Sequence, residues 1–248
     1  MRAQGMMVRN AGRLAAGAAL GLLSMTLTGP LAAEQVGAVR AVQTYAYGTP
    51  PQGQRLPKYP RDGVVVDEYL ETVEKGAMIV RFRDDTELTL GENARVLVDR
   101  FVFDPRTSEG EQLVSVTRGA FRFVSGRMRK EGISIETPVS TIGVRGTTVV
   151  GDHDADTDTS RISVVDGEAI IRPFYQVNSI VVRAGQTILI RPGGSNVVPT
   201  AGFRATKQDQ VDRLGLQSQR TGYIGMRGGK AGQQGDRYES NSSSSSIP

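Results

Sequence analysis

The sequence predicts an all-β protein, a single domain of short strands arranged as a sandwich or as a β-solenoid-like stack. From Val64 onward, apolar and polar residues alternate with a period of two, which is typical of half-buried strands. Turn-forming residues recur about every eight to twelve positions, a spacing typical of sandwiches, barrels and solenoids. Helical periodicity is nearly absent, and the one short exception is Thr206 to Leu216.

The alternation also predicts which side chains form the core. Apolar residues take every second position of successive strands, for example Val80 and Phe82, Leu88 and Leu90, Val96 and Val98, Phe121 and Phe123, and Ile133 and Ile135. Turns are predicted at Asp84-Asp85, at 91–93, at 117–119 and at Asp166-Gly167, where Asp-Gly is a strong hairpin signal. Each of these turns is expected to separate two strands that pack on one core.

The stretch TPVSTIGVRGT at 137–147 is expected to be a strand-turn-strand corner between two halves of the domain. Pro138 suits the start of a strand, and Gly143 and Gly146 predict tight turns on either side of Val144-Arg145. Arg145 is expected to be buried and hydrogen-bonded, because a buried charge needs partners; direct contact with a ligand is the alternative. The predicted structural motif consists of Thr137, Pro138, Gly143, Arg145, Gly146 and Thr147.

Three segments resemble the FecR domain of bacterial envelope proteins: TPVSTIGVRGT, VVDGEAII at 164–171 and RAGQTILI at 183–190. Upstream, VRFRDDTELTLGENARVLVDRFVFD at 80–104 resembles the strand, Asp-rich turn and strand of the same family. The resemblance is strongest over residues 62–192. It implies an envelope-side β domain that senses or binds something and transmits by contact. Regulatory members carry a cytoplasmic anti-sigma segment before a membrane helix, and this sequence departs from that pattern.

The two ends of the chain differ in composition from the β region. Residues 1–33 are predicted to be a secretory signal peptide, because three arginines precede a small apolar segment and a processing site. That segment is shorter than the roughly 20 apolar residues that span a bilayer, so cleavage is expected and an uncleaved anchor is the alternative. Residues 34–202 form the predicted FecR-like β domain. Residues 203–248 are expected to be a short helix and then a disordered tail rich in Gly, Gln and Ser.

Charge and cysteine content exclude several classes of function. The chain has a formal net charge of +4, but residues 34–202 carry 20 basic and 22 acidic residues, a net charge of −2. The basic balance therefore comes from the two ends, and no cluster of basic residues with interleaved aromatics predicts nucleic-acid binding. The chain has no cysteine, which excludes a disulfide scaffold, a thiolate nucleophile and lipoprotein anchoring.

A long segment rich in Pro and Gly, residues 46–60, follows the first predicted strand, Val36 to Val42. Long loops in compact domains are either functional or mobile. Tyr45, Tyr47 and Tyr59 flank or lie in this segment, which makes them the predicted partner contact. A mobile insertion without a role is the alternative.

Two charged loops have both a functional and a structural interpretation. The basic run Arg127-Met128-Arg129-Lys130 is expected to be a solvated hairpin tip, with a patch for acidic partners or phospholipid headgroups as the alternative. The alternating carboxylates of residues 152–158 suggest calcium, but the segment fails the EF-hand pattern, so a solvated acidic loop is expected. His153 is the only histidine in the chain, so neither a transition-metal site nor a histidine-based triad is expected.

The sequence therefore predicts an exported, non-catalytic binding or scaffolding module of the bacterial envelope, located in the periplasm or secreted. No catalytic, cofactor-binding or metal-ligating residue is predicted, since the acidic residues form no recognisable acid/base pair. The expected partner is an envelope protein or glycan. The alternative is a membrane-anchored signalling or regulatory component that senses an envelope signal, with membrane contact only if the signal peptide is uncleaved.

Overall fold

The computed structural model describes residues 34–199, except for the side chains of Lys130 and Arg145. Within these residues the fold is nearly all β: fifteen strands and one three-residue 3₁₀ turn, Lys130–Gly132. The all-β prediction is confirmed. The predicted signal peptide, the helix at 206–216 and the tail lie outside the described residues. No helix in the described part is long and apolar enough to cross a membrane.

The strands join into one sheet through a mainly antiparallel ladder. In chain order they are β1 (Gln35–Gln43), β2 (Ala46–Thr49), β3 (Leu56–Pro57), β4 (Gly63–Val65), β5 (Glu68–Thr72), β6 (Ala77–Phe82), β7 (Glu87–Leu90), β8 (Arg95–Asp104), β9 (Glu109–Val124), β10 (Ile133–Thr137), β11 (Ser140–Asp154), β12 (Thr159–Pro173), β13 (Ile180–Arg183), β14 (Gln186–Arg191) and β15 (Gly194–Pro199).

Three strands are much longer than the sequence predicts: β9 has 16 residues, and β11 and β12 have 15 each. Each contains one glycine with a positive φ, Gly119 at 83°, Gly146 at 62° and Gly167 at 77°. In β11 and β12 the pairing register shifts beside these glycines, which marks a β-bulge. The predicted turns at 117–119, at Gly143 and Gly146, and at Asp166-Gly167 are therefore wrong, because the chain continues through each as a strand.

The bulges are the points at which the long strands change neighbours. Before its bulge β11 pairs with β10, and after it β11 pairs with the second half of β9. Likewise, β12 pairs with β14 over 160–164 and with β13 over 168–171. A bulge bends a strand and increases its twist, which lets one strand serve two parts of a sheet. The 137–147 stretch thus lies where the two halves meet; a two-residue turn at 138–139 joins β10 to β11, and at Gly146 the chain bends as a bulge and makes no turn.

One hydrophobic core runs through the described residues, from Val36 on β1 to Ile190 on β14. The residues predicted by the alternation form it: Phe121 and Phe123, for example, are completely buried. The predicted turns at Asp84-Asp85 and at 91–93 also connect β6 to β7 and β7 to β8. The positions of these turns fix which face of each strand is buried, and hence which side chains reach the opposite, solvent-facing side.

Candidate functional site

A single row of residues crosses six neighbouring strands on the solvent-facing side of the sheet. Each member is paired directly with the next across the ladder: Arg100 on β8, Leu113 on β9, Ser134 on β10, Gly143 on β11, Ile170 on β12 and Val181 on β13. The residues that follow four of them, Val114, Ile135, Val144 and Ile171, are fully buried. The row is therefore the outer face of the strands whose inner face builds the core.

The middle of this row is a depression, which we call the outer groove. Its floor is formed by Ser134, Thr141 and Gly143, and Leu113 and Ile170 stand on either side. Two adjoining cavities of about 750 and 270 Å³ make up the groove, and they share Glu131, Ser134 and Thr141. The groove exists because the smallest side chains of the row lie between two larger apolar ones.

Gly143 keeps the floor of the outer groove open, although neither its φ nor a close contact requires glycine at this position. A Cβ atom added at Gly143 would meet only Ile170, at 3.6 Å from its carbonyl oxygen and 4.0 Å from its Cβ, which is ordinary van der Waals contact. At Gly151 on the same strand, by contrast, a Cβ would lie 2.7 Å from atoms of Phe121 and Ile162. Tight packing therefore requires glycine at position 151. At position 143 no packing requires it, and the effect of glycine there is an open surface.

The charges of the groove are unevenly distributed. Near β8 and β9, Glu111 forms an ion pair with Arg100, and Glu109 lies 3.4 Å from Arg129. Both pairs are exposed to water, so each contributes little to stability. Glu131 and Glu136 also line the groove and have no ion-pair partner among the described side chains. The groove therefore presents the carboxylates of Glu131 and Glu136 beside the apolar walls, and Arg172 lies at its β12 end.

Gln112 lines the same groove and carries an unsatisfied amide. The residue is completely buried, and neither its Oε1 nor its Nε2 has a hydrogen-bond partner among the described residues. A buried polar group without a partner lowers stability by roughly 1–3 kcal/mol. Gln112 lies two and four residues before Val114 and Val116, so the alternation along β9 places its side chain on the core face of the strand.

Most of the predicted structural motif shapes the corner and does not line the groove. Thr137 Oγ1 lies 3.0 Å from Ser140 Oγ, across the turn that contains Pro138. At the bulge beside Gly146, Thr147 donates a hydrogen bond from Oγ1 to the Glu168 carbonyl at 2.8 Å. Of the five motif residues whose side chains the structure describes, Gly143 lines the groove and the other four do not. The predicted burial of the Arg145 side chain lies outside the described residues and stays a prediction.

The three predicted contact tyrosines are not in the groove. Tyr45 is 64% exposed and Tyr59 56% exposed, whereas the Tyr47 ring is covered by the Arg55 guanidinium at 3.5 Å. The segment around them contains β2 and β3. It is held to the domain by an ion pair of 2.6 Å between Lys58 Nζ and the buried Glu68 Oε1. Partner contact through these tyrosines stays a prediction.

The basic run 127–130 is not the hairpin tip that the sequence predicts, because β9 and β10 pair in parallel, although the side chains of Arg127 and Arg129 are exposed as expected. Met128 is buried in the core, and Arg127 lies 2.6 Å from Asp85. A hydrogen bond from Arg81, helped by the positive charge of Arg127, holds the pKa of Asp85 below its ordinary value. The run therefore fastens the β6–β7 turn to the end of β9, which the charge pattern alone does not reveal.

His153 lies buried at the start of the acidic loop. Its Nδ1 is 3.0 Å from Ser160 Oγ, and its Nε2 is 3.8 Å from Asp158 Oδ1. Burial lowers the pKa of His153, although Asp158, Asp154 and Asp152 act in the opposite direction. Among the described residues, no group of three or more His, Asp or Glu side chains is arranged to hold a metal ion.

Acidification is expected to destabilise the domain through His153. Because the pKa of the folded state is depressed, the unfolded chain takes up the proton first as the pH falls. The stabilisation is complete above the unfolded pKa of about 6.5 and is lost as the pH falls toward the folded value. Urea unfolding between pH 7.5 and 5 measures this loss. The His153→Gln variant should show a weaker decline over the same range; an identical decline would assign the effect to carboxylates.

Comparison with known proteins tests the family resemblance. Residues 68–169 match the FecR protein family, which confirms over this stretch the resemblance that the sequence predicts. The match begins at β5 and ends within β12. It therefore includes Leu113, Ser134, Thr141 and Gly143, four of the five residues that define the outer groove.

Similarity to solved structures is weaker. Two crystal structures of a protein from Parabacteroides distasonis, provisionally described as an anti-sigma factor, each align with a TM-score of 0.42 and 15% sequence identity. The alignments cover 52% of this chain and 57% of that protein, so the chain spans little more than half of its length. A search of curated proteins gave no match.

Proposed function

We propose that this protein is a non-catalytic binding module of the bacterial envelope that acts after export, and that the outer groove is its contact surface for a protein partner. The observation that carries the proposal is Gly143, a residue whose only evident structural effect is to keep the groove open. The groove lies almost entirely within the FecR domain, which the family resemblance associates with contact on the envelope side.

The lining of the groove favours a protein over a glycan. Small-molecule pockets are mostly concave and lined by apolar and aromatic side chains, with a few polar groups. This groove is open, contains no aromatic side chain among its lining residues, and combines Leu113 and Ile170 with the carboxylates of Glu131 and Glu136. Such a surface suits an apolar side chain and a basic one on the same partner segment.

The position of the most conspicuous carboxylate supports a function without catalysis. Asp84, in the Asp-rich turn, is completely buried. Its two oxygens accept hydrogen bonds from the Thr86 amide at 3.1 Å and the Thr86 hydroxyl at 2.6 Å. This carboxylate serves to form a turn, and a general acid or base would need to reach a substrate.

The regulatory alternative differs in the fate of the N-terminus. If the apolar segment within residues 14–29 is retained, the same domain would stay at the inner membrane and report partner binding there. Mass spectrometry of the protein from the envelope separates the two cases. A mature start near Glu34 supports a periplasmic or secreted module, whereas a retained Met1 supports the anchored regulator.

Filling the floor of the outer groove is expected to abolish partner binding without unfolding the domain. The Gly143→Leu side chain would occupy the smaller cavity, and its Cβ meets no atom closer than 3.6 Å. We expect recovery of a defined envelope partner on the immobilised protein to fall roughly tenfold or more, since exclusion of one anchoring side chain is worth at least about 1.4 kcal/mol.

The matched control is Gly194→Leu. Gly194 also lies on a strand, has no positive φ, and a Cβ there would meet nothing within 4 Å. It should therefore keep both the melting temperature and the partner. Equal recovery with the two variants would refute the groove as the contact surface, and a partner that binds only through residues 46–60 would return the role to Tyr45 and Tyr59.

A further inference from the structure

The turn between β12 and β13 presents three apolar side chains to solvent. Phe174 is 54% exposed, Tyr175 55% and Val177 99%. Behind them on the same hairpin, Ile170 and Val181 are paired directly across the strands, and both are also exposed. Single exposed apolar residues are ordinary, but a group of five on one hairpin indicates an interaction site. We call Phe174, Tyr175 and Val177 the apolar tip.

The backbone of the apolar tip is fixed by hydrogen bonds. The Gln176 amide donates to the Pro173 carbonyl at 3.2 Å, which closes a turn, and the Phe174 amide donates to the Val139 carbonyl at 2.9 Å. Ser195 on β15 donates from Oγ to Gln176 Oε1 at 3.1 Å. The apolar side chains are therefore displayed in a defined arrangement, which reduces the entropy lost when they become buried.

The surroundings of the tip are basic. From residue 169 to residue 199 the sequence contains Arg172, Arg183 and Arg191 and no acidic residue. All three arginines are exposed and have no ion-pair partner among the described carboxylates. The closest carboxylate along the hairpin, Glu168, is opposite Arg183 in the strand register. A cationic surface thus adjoins the apolar tip.

We propose that the β12–β13 hairpin docks onto the surface of a membrane that contains anionic phospholipid. Phe174, Tyr175 and Val177 would enter the interface between headgroups and acyl chains, where aromatic side chains are favoured. Arg172 and Arg183 would contact the phosphates. A convex apolar tip flanked by cations fits a planar, negatively charged surface. A protein partner would instead need a cavity complementary to this turn.

This docking needs no protein partner, and its apolar tip lies outside the outer groove, although Ile170 and Arg172 of the same hairpin also line the groove. The two contributions are separable, because burial of the tip depends on apolar area, whereas attraction of the arginines depends on lipid charge and salt. Each cation near an anionic membrane strengthens partitioning roughly fivefold. The hairpin therefore gives reversible binding, and it would bring the groove close to partners in the membrane.

The sequence offers a clean probe, because the chain contains no tryptophan. Tyr175→Trp places a single fluorescent reporter at the tip. Tyr45→Trp places the same reporter at another exposed tyrosine, 64% accessible and outside the hairpin. Both full-length variants are mixed with vesicles of phosphatidylethanolamine and phosphatidylglycerol that carry brominated acyl chains. The emission of Tyr175→Trp should shift to shorter wavelength and be quenched, while that of Tyr45→Trp should not change.

Both variants contain the same residues 1–33, so vesicle binding through that segment would be common to the two. A difference in emission between the two variants therefore reports on the position of the tryptophan. In the Tyr175→Trp background, the pair Arg172→Gln and Arg183→Gln should lower vesicle affinity roughly twentyfold, and phosphatidylcholine vesicles should give a similar loss. The proposal is overturned if the Tyr175→Trp emission ignores vesicles, if both reporters respond equally, or if neutral vesicles bind as strongly as anionic ones. A concentration-dependent shift without vesicles would instead assign the tip to self-association.

Discussion

Glu68→Ala is expected to lower the free energy of unfolding by about 3–5 kcal/mol, the usual effect of removing one partner of a buried ion pair. The Glu68 carboxylate is 1% exposed, lies 2.6 Å from Lys58 Nζ through Oε1 and accepts the Val65 amide at 3.1 Å through Oε2. Without it, the Lys58 ammonium keeps only the Gly63 carbonyl, at 2.6 Å, in a site with little access to water.

Chemical denaturation of the wild type and two variants measures this effect. Glu74→Ala, at an exposed position in the turn between β5 and β6, is the control and should change stability by less than about 0.5 kcal/mol. Limited proteolysis should cut the segment 46–60 faster in Glu68→Ala, because the ion pair holds that segment to the domain. Equal stability of the two variants would mean that Lys58 and Glu68 are solvated and that the segment is held by other contacts.

Gly119→Ala is expected to lower the free energy of unfolding by about 2–5 kcal/mol, because two penalties coincide. Its φ of 83° is left-handed, which costs a residue with a Cβ about 1–2 kcal/mol. The added Cβ would also lie 2.5 Å from the Ala94 Cα, a backbone atom that cannot move aside, and overpacking of this kind costs about 1–3 kcal/mol.

Gly185→Ala separates these two penalties. Gly185 has a φ of 80°, but a Cβ there would meet nothing within 4 Å, so only the conformational cost of about 1–2 kcal/mol applies. Thermal and urea unfolding should therefore rank the wild type above Gly185→Ala, and Gly185→Ala above Gly119→Ala. If the two variants were equally stable, β9 would not approach Ala94 closely at this bulge.

Gly119 also illustrates which part of the fold could be predicted from the sequence and which part could not. Alternation of apolar and polar residues identified the core faces, including Phe121 and Phe123, because a period of two is a direct consequence of strand geometry. A positive φ, however, is required both in a hairpin turn and in a β-bulge. The sequence therefore predicts turns at Gly119 and Gly167, where the structure has bulges, and it divides three long bent strands into shorter ones.

The outer groove could not be predicted, because it depends on strand register. Leu113, Ser134, Gly143 and Ile170 come from four strands and span 58 residues of sequence, and only the ladder brings them into one row. The one available signal was Gly143, since glycine inside a strand pattern marks a bulge, a bend or a close approach. At this position it marks an open surface, which is a fourth possibility that local sequence does not distinguish.

The most direct test of partner contact through the outer groove is site-specific photo-cross-linking in the intact envelope. A photoreactive residue at Ser134, on the groove floor, should yield one adduct of defined mass, and Gly143→Leu in the same chain should remove it. The same photoreactive residue at Glu74 should yield none. No adduct from Ser134, or the same adduct from both positions, would contradict a role for the outer groove.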